Sequence, residues 1–540
     1  MLIRQLFTAV LVSLVAFGIA LMPASDANAQ KRGGILTDMI PSKGAASLDG
    51  HKETSYATIH PTAPFYSLLI QVDPSKPGAK ELVGDLAKSW TVSSDKKTYV
   101  FKIHKGVKFH DGSDMTSRDA LASWNKIVFP PQGILSARKA MFSMVDTITT
   151  PDSHTIVFKL KFASPAFIWA MAMPFNYIYS ADVLAKNMRY YETKIMGTGA
   201  FKLVEYTPKV RIRGERFDQY FIPGRPYMDG IIGIFSPKQN VYVAALESGR
   251  AYSMFRGLPP QAVKDLLKAR PGEFVVQNST WNCALNITPN SYKKPFDNVK
   301  VRRALSLALD RWGGSRYLSK RAIVKTVGGV VFPLHPLAPS RRQLQTLEGY
   351  GTNVKENRQK AMRLLKEAGV PRGFKFTLNN RTTDQPYKIV GIWAVDQWRQ
   401  IGLEVKQKVL PTSKFWAALR RPKSRMTEKG AYTVSIDFNC QAVVNPTVDI
   451  SKYIPSSGAN YGKYDDDVLE RLYNEQLREP DFDKQKALLW KFQQRLTYQA
   501  WTFSTLWWHR TIVHNRRMKG WNITPSHYLN MGLVDVWLDE

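Results

Sequence analysis

A chain of 540 residues with 44% hydrophobic, 12% aromatic and only 22% charged residues is too apolar to be disordered, and too long for one core, since single cores stop growing near ~250–300 residues. Its 76 Lys and Arg against 44 Asp and Glu give a formal net charge of +32, a field that favours anionic surfaces or ligands. The basic residues are dispersed, as in "RIRGER" (211–216) and "RRPKSR" (420–425), which argues for a basic solvated surface and against a nucleic-acid partner.

The first segment has a basic start at Arg4, an apolar run from Leu6 to Met22, a break at Pro23 and the small-x-small sequence Ala27-Asn28-Ala29. It reads as a secretory signal over 1–29, cut after Ala29, with an uncleaved membrane anchor as the alternative. No Cys follows the run, so a lipid anchor is not indicated. No other stretch approaches the ~18 apolar residues of a spanning helix, and the expected product is soluble, exported and periplasmic. Removing the segment takes one basic and one acidic residue, so the charge excess persists.

Residues 98–104 alternate Tyr99, Phe101 and Ile103 with polar neighbours, and 154–161 do the same with Ile156, Phe158 and Leu160; both predict half-buried strands. Between them, "KGVKFHDGSDMTSRDALASW" (105–124) predicts a second short strand over "VKFH", a turn at Asp111-Gly112, and a capping box Thr116-x-x-Asp119 opening a helix that buries Ala120 and Trp124. The His110–Asp111 pair has no nucleophile or further metal ligand nearby and reads as scaffold. Further on, Val301, Ala304, Leu305, Ala308 and Leu309 fall at helical spacing behind Asn298, and Ala361, Leu364, Leu365 and Ala368 share a face before Gly369 and Pro371. A helix ending at Gly402 hands over to a strand opening Leu403-Glu404-Val405, a crossover unit of a mixed sheet. The fold class is therefore α/β, and without a long low-complexity linker the lobes must be joined by ordered strands.

"LAKSWTVSSDKKTYVFKIHKGVKFHDGSDMTSRDALASW" (86–124) resembles the signature region of solute-binding protein family 5, the cluster C extracytoplasmic receptors of peptide, oligopeptide and nickel ABC importers. "GTGAFKLVEY" (197–206) with "PGRPYMDGI" (223–231), "PFDNVKVRRALSLALDR" (295–311) and "AMRLLKEAGVPRGFKF" (361–376) resemble its later blocks in order. The resemblance implies a two-lobed periplasmic-binding-protein-like fold of type II, with lobe I over 30–280 and 511–540 and lobe II over 281–510. Two strands would cross between the lobes, near 281–288 and 507–514. It implies an importer receptor without catalytic residues, metal or cofactor, expected as a monomer, that captures a peptide-like or other small oligomeric solute and delivers it to permease subunits.

In such receptors Thr54, Ser55 and Tyr56 would line the cleft, and Trp281, Tyr387, Asn439, Cys440, Trp507 and His509 sit at the crossings or on lobe II segments facing it. Trp393 and Trp398 read as core. A carboxylate four residues before the Pro of "DFNCQAVVNPT" (437–447) would hold a peptide's ammonium group; here that position is Ala442. A buried ammonium without a charged partner costs several kcal/mol, so an unusual neutral or anionic solute stands beside peptide as an expectation, with Asp437 as a substitute anchor. Cys283 and Cys440 are expected as buried thiols, their pairing left open. The scattered His do not suggest nickel or haem. The alternative function, an exported serine-type hydrolase or penicillin-recognising enzyme, rests on Ser93-x-x-Lys96 alone, without S-D-N, K-T-G, G-x-S-x-G or H-E-x-x-H partners.

Overall fold

A computed structural model describes residues 30–76, 78–279 and 283–540; the expected signal segment and Trp281 lie outside the described residues. The chain builds two lobes from separate sheets. In lobe I, Ile35–Ile40, Gly230–Phe235, Arg211–Arg216 and Phe201–Thr207 form one four-stranded sheet in that order, and Ala87–Val92, Thr98–Ile103, Thr155–Leu160 and Val145–Asp152 form another. In lobe II, six strands run in the order Val324–Thr326, Phe503–Trp508, Cys283–Pro289, Val434–Cys440, Lys375–Arg381, Glu404–Leu410.

Local signals explain the elements. Tyr99, Phe101, Ile103, Ile156, Phe158 and Leu160 are all buried on paired antiparallel strands. Thr116 and Asp119 form the expected capping box of helix Ser117–Val128, which buries Trp124 completely. The "VKFH" segment forms only a single bridge, Lys108 to Asp114, instead of a strand, because His110 turns inward to bond the Gly199 carbonyl at 3.0 Å. A Cβ on Gly199 would lie 2.4 Å from the Phe65 carbonyl carbon and the Tyr66 nitrogen, so the "GTGAF" glycine is required for close approach of two chain segments. In lobe II, Asn298 caps Val299–Leu307 through the Lys300 amide, Gly369 takes a φ of +69° just past the end of helix Val354–Glu367, and Lys375–Arg381, helix Ile389–Arg399 and Glu404–Leu410 make the parallel crossover.

The chain passes between lobes twice, between Asn278 and Cys283 and again between Trp508 and Thr511. Each passage joins a ladder in one lobe to a ladder in the other: Phe274–Asn278 pairs with Thr511–Asn515, and Cys283–Pro289 pairs with Phe503–Trp508. The two are tied by the Ser279 amide donating to the Arg510 carbonyl at 3.0 Å. Residues 283–288, expected at a crossing, instead form the middle of the lobe II sheet. A small separate core of Met39, Leu246, Leu258, Leu266, Phe274 and Val513 supports the ribbon from the lobe I side.

Cys283 and Cys440 stand directly opposite each other in the ladder and form a disulfide, which corrects the expectation of buried thiols. The bridge closes a loop across a sequence separation of 157, and removing such a bond from an exported protein typically costs about 2–5 kcal/mol. The double substitution C283A/C440A is expected to lower unfolding stability by that amount in urea titrations without reductant. The wild type, denatured without reductant, is expected to show no reactive thiol, and two after reduction.

Candidate functional site

Segment 47–53 is fixed within lobe I by paired charge: Lys126 Nζ and Asp49 form a buried ion pair, and Arg138 donates to the carbonyls of Gly50 and Glu53. This fixes the next residues as one wall of an interlobe cleft. The opposite wall is the end of strand Val434–Cys440, the loop after it and the short helix Pro446–Ile450. Both walls touch. Arg420 of lobe II grips Glu53 of lobe I with two bonds of 2.6 and 2.9 Å, Thr54 Oγ1 meets Tyr461 Oη at 3.1 Å, and Arg256 donates to the Gln385 carbonyl at 2.7 Å.

Between the walls lies a cavity of about 50 Å³ lined by Thr54, Arg138, Phe175, Phe438, Asn439, Cys440, Ala442, Asp449, Tyr461 and Tyr528 among others. Asp449 is its acidic group. Its Oδ2 accepts from the Ala442 amide at 2.9 Å, so a carboxylate from the following helix sits beside the position that sequence analysis found vacant. Burial raises its pKa to about 8, against the lowering effect of the Ala442 and Val443 amides and of Arg138. Asp437, the expected substitute, is buried and paired with Lys452 Nζ at 2.9 Å; it belongs to the scaffold and is corrected as an anchor.

Beside the cavity is a basic cluster. Arg256 of lobe I has its guanidinium carbon 4.1 Å from the Tyr56 ring centre, 4.7 Å from Trp508 and 5.2 Å from Tyr387. Arg381 of lobe II faces the same tyrosines, 5.5 Å from Tyr56 and 5.2 Å from Tyr387. Phe438 connects the two regions, lining the cavity while packing on Tyr387 and Trp508. Tyr528 stands in the field of both: burial raises its pKa first, followed by Tyr387, Asp449 and Tyr461, while Arg256 pulls it down.

The structure thus brings Thr54, Asn439 and Cys440 to the cavity, and Tyr56 and Tyr387 to the adjoining cluster. Ser55 is occupied as a helix cap, accepting from the Ala57 amide. Trp507 is turned away: it packs with Ala284 and Phe332 and donates to the Gly329 carbonyl at 3.1 Å, while its neighbour Trp508 takes the cleft side. His509 lies half-buried outside the cavity, its amide bonded to the Ile323 carbonyl. Ser93 occupies an exposed hairpin turn, where its hydroxyl donates to Asp95 and accepts from the Thr98 amide, so the hydrolase motif has no site. Asp449, Arg138, Arg256, Arg381, Trp508 and Tyr528 were missed from sequence. The acid three residues after Pro446 was the one available signal, since helical spacing folds it back toward the preceding loop.

Residues 81–439 match the middle region of the bacterial extracellular solute-binding proteins, family 5. The Di/tripeptide-binding protein 1 of Pseudomonas aeruginosa (strain UCBPP-PA14) is 26% identical over 500 residues, covering 84% of this chain and 87% of that protein. The dipeptide-binding protein of Escherichia coli (strain K12) is 28% identical over 396 residues, covering 67% and 68%. In fold, the chain is similar to the periplasmic binding protein DppA from Helicobacter pylori in complex with peptide STSA, with a TM-score of 0.80, 24% identity, and coverage of 96% of this chain and 100% of that one.

A buried acid with a raised pKa destabilises the native state once ionised, so its contribution worsens as pH climbs from the unfolded value near ~4 toward the folded value of about 8. Asp449→Asn is therefore expected to melt higher than wild type at pH 8 without solute, and to coincide with it at pH 4. Thermal unfolding across this range checks the slope, and parallel curves contradict the assignment.

Proposed function

The chain belongs to family 5 of the bacterial extracellular solute-binding proteins, and we propose that it is the periplasmic receptor of an ABC importer, closing on a short peptide or peptide-like solute and presenting it to the permease. The family is one of binding proteins, and the reading takes the chain as a monomeric receptor without catalysis of its own. One observation carries the solute class: the cleft buries Asp449, which forms no ion pair among the described residues, and beside it guanidiniums that face rings instead of carboxylates. A molecule with an ammonium group at one end and a carboxylate at the other satisfies both. Relatives whose names specify di- or tripeptides and dipeptides support this reading, and Asp449 removes the objection raised by Ala442.

Closure follows from the wall contacts. A solute held by Asp449 and Phe438 of lobe II and by Arg138 and Phe175 of lobe I interacts fully only when the lobes meet, so binding selects the closed arrangement. The Glu53–Arg420 pair adds a charge-assisted, two-point contact that exists only then. The passages that leave Asn278 and Trp508 are the proposed hinge, and 30–278 with 511–540 and 283–508 are the proposed moving bodies.

Calorimetric titration of the purified protein with di- and tripeptides is expected to give saturable binding, with a smaller radius of gyration by X-ray scattering in the complex. N-acetylation of the peptide, or Asp449→Asn, is expected to weaken binding about 100-fold, near 3 kcal/mol, the typical penalty for removing one partner of a buried charge pair. Equal affinity for free and acetylated peptides would dismiss Asp449 as the anchor, and absence of any peptide binding would dismiss the peptide reading.

A further inference from the structure

We propose that the cleft takes solutes whose anionic end carries two negative charges, as two carboxylates or a phosphate, seated against Arg256, Arg381 and Arg510. The inference rests on the receptor reading above and specifies its solute. Arg256 comes from the lobe I loop after Ser253, Arg381 from the cleft end of strand Lys375–Arg381 in lobe II, and Arg510 from the second passage between lobes. Their relative exposures are 1%, 0% and 1%.

Their hydrogen bonding is incomplete. Arg256 bonds only the Gln385 carbonyl, Arg381 reaches Tyr387 Oη at 3.5 Å and Thr412 Oγ1 at 3.3 Å, and Arg510 bonds the Thr524 carbonyl at 3.1 Å. Nε and Nη2 of Arg256, Nε of Arg381 and Nε of Arg510 are buried without a partner, and none of the three forms an ion pair among the described residues. The chain satisfies a buried guanidinium elsewhere: Arg311 donates to the carbonyls of Ser504, Ser306 and Gly349 and to the Ser306 hydroxyl. Arg138 and Arg358 also leave Nε without a partner, but among the described residues only in the Arg256–Arg381–Arg510 cluster do three such guanidiniums from different segments meet around shared aromatic rings and each other's field.

The rings of Tyr56, Tyr387 and Trp508 attract cations through their faces and exclude water, but add no negative charge. Arg510 is pulled down to about 9 by burial and by the charge of Arg256, so the two repel each other. A single carboxylate would leave a net excess of positive charge in a dry environment, where each uncompensated ion is costly. A doubly charged group offers enough acceptors for the free N–H groups and forks well to planar guanidiniums. Phe438 and Tyr528 line the cavity and Phe438 packs on Tyr387 of this cluster, so a solute held at Asp449 reaches the arginines by displacing these rings.

Titration of the full protein with Ala-Ala, Ala-Asp and alanyl-phosphoserine at one ionic strength tests this. Ala-Asp or alanyl-phosphoserine is expected to bind at least tenfold tighter than Ala-Ala, and Arg256→Met to bring all three within threefold. Arg510→Met, which leaves the cleft-wall contacts in place, is expected to reduce the same preference. Wild-type affinities for all three within threefold overturn this inference and leave the receptor reading standing; failure of all three peptides to bind overturns both.

Discussion

An ion removed from water must meet a counter-ion or its charge is driven off, and this cleft buries both signs without pairing them to each other. Phe438 lines the cavity that holds Asp449 and packs on Tyr387, the ring that Arg256 and Arg381 both face. Everything around them serves to keep that separation. The lobe I wall is held by Lys126 on Asp49, the lobe II wall by Lys452 on Asp437, so these acids and bases are consumed in scaffold pairs. What remains unpaired is what a solute can use.

The closed arrangement shows why two thin passages suffice to join such large lobes. The disulfide lies just inside lobe II and locks the strand that begins at Cys283 to the strand that ends at Cys440. The cleft wall at Asn439 and Cys440 is thereby tied to the lobe II sheet. Glu53 with Arg420 ties the two lobes beside the cavity.

Much of the fold was legible in the sequence because its signals are local. Alternation at 98–104, the Thr116–Asp119 box, the Asn298 cap and the Gly369 stop each depend on a few neighbouring residues. The site was less legible because its parts are not local. Strand Phe503–Trp508 is buried on both faces, so no polar alternation tells which of Trp507 and Trp508 turns to the cleft. The Cys283–Cys440 pairing needs the register of two strands distant in sequence, and the arginines come from three unrelated segments with nothing in their immediate surroundings to mark them.

Ala442 is the instructive position, because counting residues there gave a correct identity and an incomplete inference. The function of an anchor belongs to a point in space, and a short helix after Pro446 brings a different carboxylate to that point through the amides of Ala442 and Val443. A small residue at 442 is then a requirement of the arrangement: a second carboxylate there would crowd Asp449 with like charge in a dry site, where two acids cannot both ionise. Moving the acid onto the helix also lets the backbone amides partly offset its burial, which an acid on the open loop would not obtain. On the proposed reading the cleft keeps the chemistry of an ammonium site while changing which residue supplies it.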